Sequence, residues 1–125
     1  MNPIEVFVET GNPAPASSKR WTVPFELSFP IKNVALIPYD NEYVGRVALF
    51  LAARDTDGKQ SEVVRQEHEV RVPAASYEDS QRRRFTIDAS LLMNPGGHRV
   101  AVAVFDQITR QSSYQVLQTF VGQRK

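Results

Sequence analysis

The sequence predicts an all-β protein: an antiparallel two-sheet β-sandwich, immunoglobulin-like or fibronectin III-like, of about seven to eight strands. Three observations carry this reading. Apolar and polar residues alternate with a period of two along most of the chain, as side chains on a pleated strand must. Turn-forming clusters separate the alternating runs: Pro38-Tyr39-Asp40-Asn41, Asp55-Thr56-Asp57-Gly58 and Asn94-Pro95-Gly96-Gly97. No segment has the helical periodicity needed to supply the crossovers of a parallel sheet.

Residues 4–9 read as an opening strand. Residues 12–19, rich in Pro and Ser, read as a loop or linker. In 21–30, Trp21, Val23, Phe25, Leu27 and Phe29 share one face, against Thr22, Pro24, Glu26, Ser28 and Pro30 on the other. Pro24 and Pro30 lack a backbone donor, which points to an edge strand or a bulge. The extended run is expected to continue through 31–37. Residues 46–54 are apolar on both faces, as expected of a central strand covered on both sides. Asp57-Gly58 marks a hairpin. The returning strand, 62–72, places Arg65, Glu67, Glu69 and Arg71 on one face, which suits a solvated sheet edge. Residues 74–84 read as a loop or a single helical turn, and 84–88 as a short strand. Residues 98–106 are the most β-prone stretch, and 113–121 form the last strand.

The 125 residues, 42% of them hydrophobic, fit one domain, 1–125, with an adequate core. No apolar run reaches the roughly 18 residues of a membrane-spanning helix. A net charge of +1 provides no domain-wide field for nucleic acid. The absence of cysteine excludes thiol catalysis, disulfides and thiolate zinc sites. The first residues carry neither a basic region nor an apolar run of signal-peptide type, so the chain reads as cytoplasmic or as the mature part of a longer chain.

Candidate chemistry was weighed residue by residue. Asp55, Asp57, Gly58 and Glu62 echo a calcium loop, but Gln66 stands where the closing carboxylate belongs, so a hairpin turn is expected. Asp88-Ala89-Ser90-Leu91-Leu92 lacks an oxygen at its fifth position for an Asp-x-Ser-x-Ser metal site. His68 and His98 are too scattered for zinc and have no serine elbow to serve. Glu67 and Glu69 lie on one strand face as an acid/base pair would, yet flanking Arg65 and Arg71 keep both ionised. No catalytic residue, metal or cofactor is therefore expected. The basic cluster Arg82-Arg83-Arg84, with Tyr39, Tyr43 and Tyr77 in nearby loops, is the expected interaction surface, because loops on a rigid scaffold carry recognition. Trp21 and Tyr114, added to those tyrosines, would make a sugar-stacking platform if exposed together.

The segments 45–55 (Gly45-Arg46-Val47-Ala48-Leu49-Phe50 onward) and 95–106 (Pro95-Gly96-Gly97-His98-Arg99-Val100 onward), followed by Thr109 and Ser113-Tyr114, carry a recognisable rhythm. A Pro-Gly strand entry leads into alternating valines, an Asp at the strand end and a hairpin into the last strand. This resembles the C-terminal β-sandwich region of bacterial proteins related to the von Willebrand factor A (VWFA) family, of acidobacterial type. The resemblance implies an extracytoplasmic accessory module of a larger envelope or secreted chain. Its metal-binding domain would lie upstream, so no functional residue is carried over. The expected function is non-catalytic contact with a protein partner through the surface or an edge strand, with carbohydrate binding as the alternative.

Overall fold

The computed structural model describes residues 1–17 and 19–122. The strands are β1 (Phe7–Thr10), β2 (Ala14–Ser17), β3 (Arg20–Pro30), β4 (Ile37–Tyr39), β5 (Glu42–Asp55), β6 (Val64–Pro73), β7 (Arg84–Met93), β8 (Gly96–Asp106) and β9 (Ser112–Val121). A 3-10 turn (Ala74–Ser76) and one α-helical turn, α1 (Tyr77–Ser80), lie between β6 and β7. Every pairing is antiparallel. β1 and β2 run end to end along one side of β3, and β7 along the other. In the second sheet β6 and β8 flank β5, β9 flanks β8, and short β4 pairs with the start of β5 on the β8 side. The chain is thus the expected all-β, two-sheet sandwich, with three rows of strands facing four.

The period-two pattern decides what lies between the sheets. Val23, Phe25, Leu27 and Phe29 of β3, with Ile87, Ala89, Leu91 and Met93 of β7, form the inner face of one sheet. Val47, Leu49, Leu51 and Ala53 of β5, with Val100, Val102 and Val104 of β8, form the other. All are buried, and burial of this apolar surface is the main favourable term in folding. Trp21 is half-buried against the same core. Phe29 packs on Phe85 with ring centroids 5.6 Å apart.

Residues 1–6 cross from one sheet to the other. The Tyr114 amide donates to the Met1 carbonyl (2.9 Å), the Ile4 amide to Ser113 Oγ (2.8 Å) and Gln115 Nε2 to the Val6 carbonyl (3.0 Å). Asn2 holds the crossing by donating to the Val6 carbonyl and accepting from its amide. The opening strand therefore begins later than expected, at Phe7, because buried Ile4 and Val6 fill the side of the sandwich instead.

Other differences have local causes. Within the 12–19 stretch expected to be a loop or linker, residues 14–17 pair with β3; Ser18 lies outside the described residues. β3 is central rather than an edge. It tolerates Pro24 because the Pro24 carbonyl accepts from the Gly11 amide, which places the missing donor at the break between β1 and β2. The expected extension through 31–37 is interrupted by a 3-10 turn at Ile31–Asn33, where the chain leaves one sheet for the other. β7 runs to Met93, well beyond residue 88, pairing with β3 along ten positions. β5 is central, but among the described residues no second layer of strands covers its outer face.

Candidate interaction face

The uncovered side of the five-stranded sheet (β4, β5, β6, β8 and β9) is the most unusual surface among the described residues. An antiparallel sheet normally presents polar residues to water on the face away from its core. Here β5 presents Phe50 and Ala52, and β8 presents Ala101, Ala103 and Phe105, all half-buried; Ala48 lies on the same side of β5 but is only 2% exposed between its neighbours. The register sets them in rows, with Ala48 beside Phe105, Phe50 beside Ala103 and Ala52 beside Ala101. β9 extends the rows, Tyr114 beside Ala103 and Val116 beside Ala101. β6 closes the other side with Glu67 beside Ala48 and Arg65 beside Phe50.

Large apolar residues on this face are open to solvent. Tyr39 is 64% exposed, Tyr114 54%, Ile37 51% and Val116 46%, and Phe120 lies on the same face of β9. Clefts of about 410 Å³, lined by Ile37, Tyr39, Val44 and Ile108, and about 470 Å³, lined by Ala52, Ala101, Tyr114 and Val116, lie towards the two ends of the strip. Charges form its rim. Arg65 pairs with Glu67 and lies over the Phe50 ring, 5.7 Å from its centroid. Arg71 pairs with Glu42 (3.1 Å) and Glu69 (3.4 Å). The Glu69 carboxylate, with Glu42, holds the Arg71 guanidinium above its ordinary range. Glu67 and Glu69 thus belong to a solvated charge ladder on an edge strand, as expected.

The six residues expected to form a loop-borne surface are not gathered into one. Tyr39 joins the apolar strip from β4. Tyr43 and Tyr77 are half-buried and stack on each other at 4.3 Å, closing the end of the core rather than offering free rings. Arg82, Arg83 and Arg84 are exposed after α1. Arg83 pairs with Asp79 (2.9 Å), while Arg84 donates from Nε to Ser28 Oγ and from Nη2 to the Ser28 carbonyl. Trp21 sits on the opposite sheet, so no platform of Trp21 with the tyrosines forms.

Both histidines serve packing. His68 Nε2 bonds Gln66 Oε1 (2.8 Å) and its ring meets Phe85 edge-on at 6.3 Å. His98 is buried; its Nε2 donates to the Asn94 carbonyl (2.7 Å), closing the turn before β8, and its Nδ1 has no partner. The Asp55 carboxylate accepts from the Asp57 and Lys59 amides through Oδ1, the bonds of a tight hairpin turn. Among the described residues, no group of three or more His, Asp or Glu is placed to hold a metal ion.

The outer face of the other sheet carries a row of like charges, with exposed Phe7 and Leu92 elsewhere on it. Glu9 pairs with Glu26, and Glu26 with Asp88, so three exposed carboxylates lie in one row across three strands. Like charges directly opposite each other destabilise a sheet. Glu26→Gln is expected to raise stability by about 0.5 kcal/mol at low salt. In chemical denaturation the gain should shrink towards zero near 1 M salt, where the Debye length is about 3 Å.

No family model matches the chain, and no curated protein does. Solved structures do. Northeast Structural Genomics Consortium target SoR45 superposes with a TM-score of 0.58 at 9% identity, over 94% of this chain and 85% of that one. A β-glucuronidase from Bacteroides uniformis gives 0.54 at 9% identity, over 92% of this chain and 13% of the enzyme. The likeness is one of fold. At such identity it carries no residue across, and the apolar strip stands on this chain's own sequence.

Proposed function

We propose that this chain is a non-catalytic interaction module of a larger envelope or secreted protein, and that it works through the outer face of its five-stranded sheet. The observation that supports this is the apolar strip. Among the described residues, Ile37, Tyr39, Tyr114, Val116 and Phe120, five of the nine exposed large hydrophobic residues, share that one face, with the Arg46–Glu69 and Arg54–Arg99 rows crossing it towards its ends. An exposed apolar centre bounded by charges has the composition of a recognition surface. The fold also occurs as 13% of a longer enzyme chain, in keeping with an accessory role.

The test is photo-crosslinking in the source cells. A benzophenone amino acid in place of Val116 is expected to give a discrete protein adduct, whereas the same group in place of Glu26 on the other sheet gives none. Adducts from position 26 and none from position 116 would reverse the assignment. A second reading, carbohydrate binding, draws on exposed Tyr39 and Tyr114 beside arginines. It requires glycan-array binding that Tyr114→Ala weakens at least tenfold, and an array with no binder removes it.

A further inference from the structure

We propose that the occupant of this face is a second copy of the same chain, packed sheet on sheet about a two-fold axis that runs between β5 and β8 close to the strand direction, inclined to it by half the crossing angle of the two sheets. The proposal rests on the reading of this face as the contact surface and adds the identity of the partner.

The register makes this face self-complementary. A two-fold rotation about that axis exchanges β5 with β8 and β6 with β9, and leaves each row where it was. Phe50 then falls on Ala103 of the second copy, because the two share a row. Phe105 falls over the Ala48 position of the second copy for the same reason, Ala48 being 2% exposed at the floor of its row. Each large ring thus meets the small side chain that leaves it room, twice over by symmetry, while Ala52 meets Ala101. Arg65 and Tyr114 close the same row at its two ends, so the rotation sets each guanidinium over the other copy's phenol ring. An isologous contact demands a self-complementary patch. This face has one, whereas the Glu9, Glu26 and Asp88 row on the other sheet would set like charges against each other.

The Arg54 and Arg99 row would be repulsive if the sheets lay exactly in line. Packed sheets instead cross at about 30°. That row lies two rows from the Phe50 centre, roughly 13 Å along the strand, so the crossing offsets the arginines by roughly 7 Å.

The area is sufficient. Four strands at about 4.8 Å spacing and about 33 Å of strand make a face of roughly 600 Å². Two such faces bury roughly 1,200 Å², above the ~1,000 Å² expected of a specific contact.

Sedimentation equilibrium of the 125-residue chain tests the proposal. A dimer with a Kd on the order of 100 µM is expected for a contact this small. Ala103→Arg should weaken it at least 30-fold while leaving the melting temperature and the far-ultraviolet circular dichroism in place. Arg65→Glu and Tyr114→Lys should each weaken it. An equimolar mixture of those two variants should associate again, because one contact becomes an ion pair and the other is native. A wild-type chain that remains monomeric at 1 mM overturns the proposal, as does a dimer indifferent to Ala103→Arg. Variants that fail to recover on mixing overturn the stated packing. A monomer whose position 116 crosslinks to a different protein overturns the second copy as occupant but leaves the interaction module standing.

Discussion

Asp106→Ala is expected to lower the unfolding free energy by about 3–4 kcal/mol, one of the two largest losses from any substitution considered. Asp106 ends β8 and is 1% exposed. Its Oδ2 accepts from the Ala35 amide (2.8 Å), and its Oδ1 from the amides of Ile108 (2.9 Å) and Thr109 (3.3 Å). One carboxylate therefore shapes the β8–β9 hairpin and also pins the segment that passes from the 3-10 turn to β4. Hydrogen bonds to a charged acceptor contribute roughly 1.5–3 kcal/mol each, and a buried amide left without a partner costs a further 1–3 kcal/mol. Ile108 and Thr109 lie in a hairpin that water can reach, so Ala35 carries most of the penalty. Asp106→Asn, which keeps one acceptor oxygen, should lose about half as much. Urea denaturation of the two variants measures both, and an alanine variant within 1 kcal/mol of wild type would refute the pin.

Gly45→Val is expected to cost as much, about 3 kcal/mol, and Gly45→Ala about 2 kcal/mol. Gly45 lies on the inner side of β5, where the same 34–36 segment crosses it. A Cβ at this position would stand 2.7 Å from the Ala35 carbonyl oxygen and 2.9 Å from Leu36 Cδ2. The leucine methyl can turn away, but the carbonyl belongs to a backbone already held by Asp106 through the neighbouring amide. Strand glycines often mark such a close approach. Because both residues act on one peptide segment, the Gly45→Ala and Asp106→Ala effects should not add. The double variant is expected to lose at least 0.5 kcal/mol less than their sum, measured as a double-mutant cycle.

Much of the fold was legible in particular residues. Val23, Phe25, Leu27 and Phe29 alternate strictly, and a period of two has only one way to bury them. The charged alternation of Arg65, Glu67, Glu69 and Arg71 marked β6 as an edge, which it is. Residues 74–84 hold the single turn of α1, since Ser80, Glu78 and Asp79 favour local turns over a strand. Pro24 was legible only in part. Its missing donor required a gap in the ladder, and that gap is the break between β1 and β2 rather than a free edge.

The candidate face was half legible. The run from Arg46 to Arg54 is apolar on both sides, and the natural reading supplies a covering layer for each. Nothing within one strand shows whether a layer exists, because coverage depends on where distant segments travel. Only the completed sandwich leaves Ala48, Phe50 and Ala52 facing outward. The tyrosines show the same limit. Tyr39 and Tyr43 are four residues apart, yet a turn at Asp40, with φ of 53°, sends one onto the open face and the other against Tyr77.

By itself, the sequence determined that this is an antiparallel two-sheet sandwich and which side chains form its core, because alternation is a local property of consecutive residues. The tertiary structure alone decided which residues stand in one row across strands. Register joined Phe50 to Ala103, Ala48 to Phe105, and Glu9 to Glu26 to Asp88. Those residues are far apart in the chain, and a slip of one position in any strand would turn its side chains to the other face.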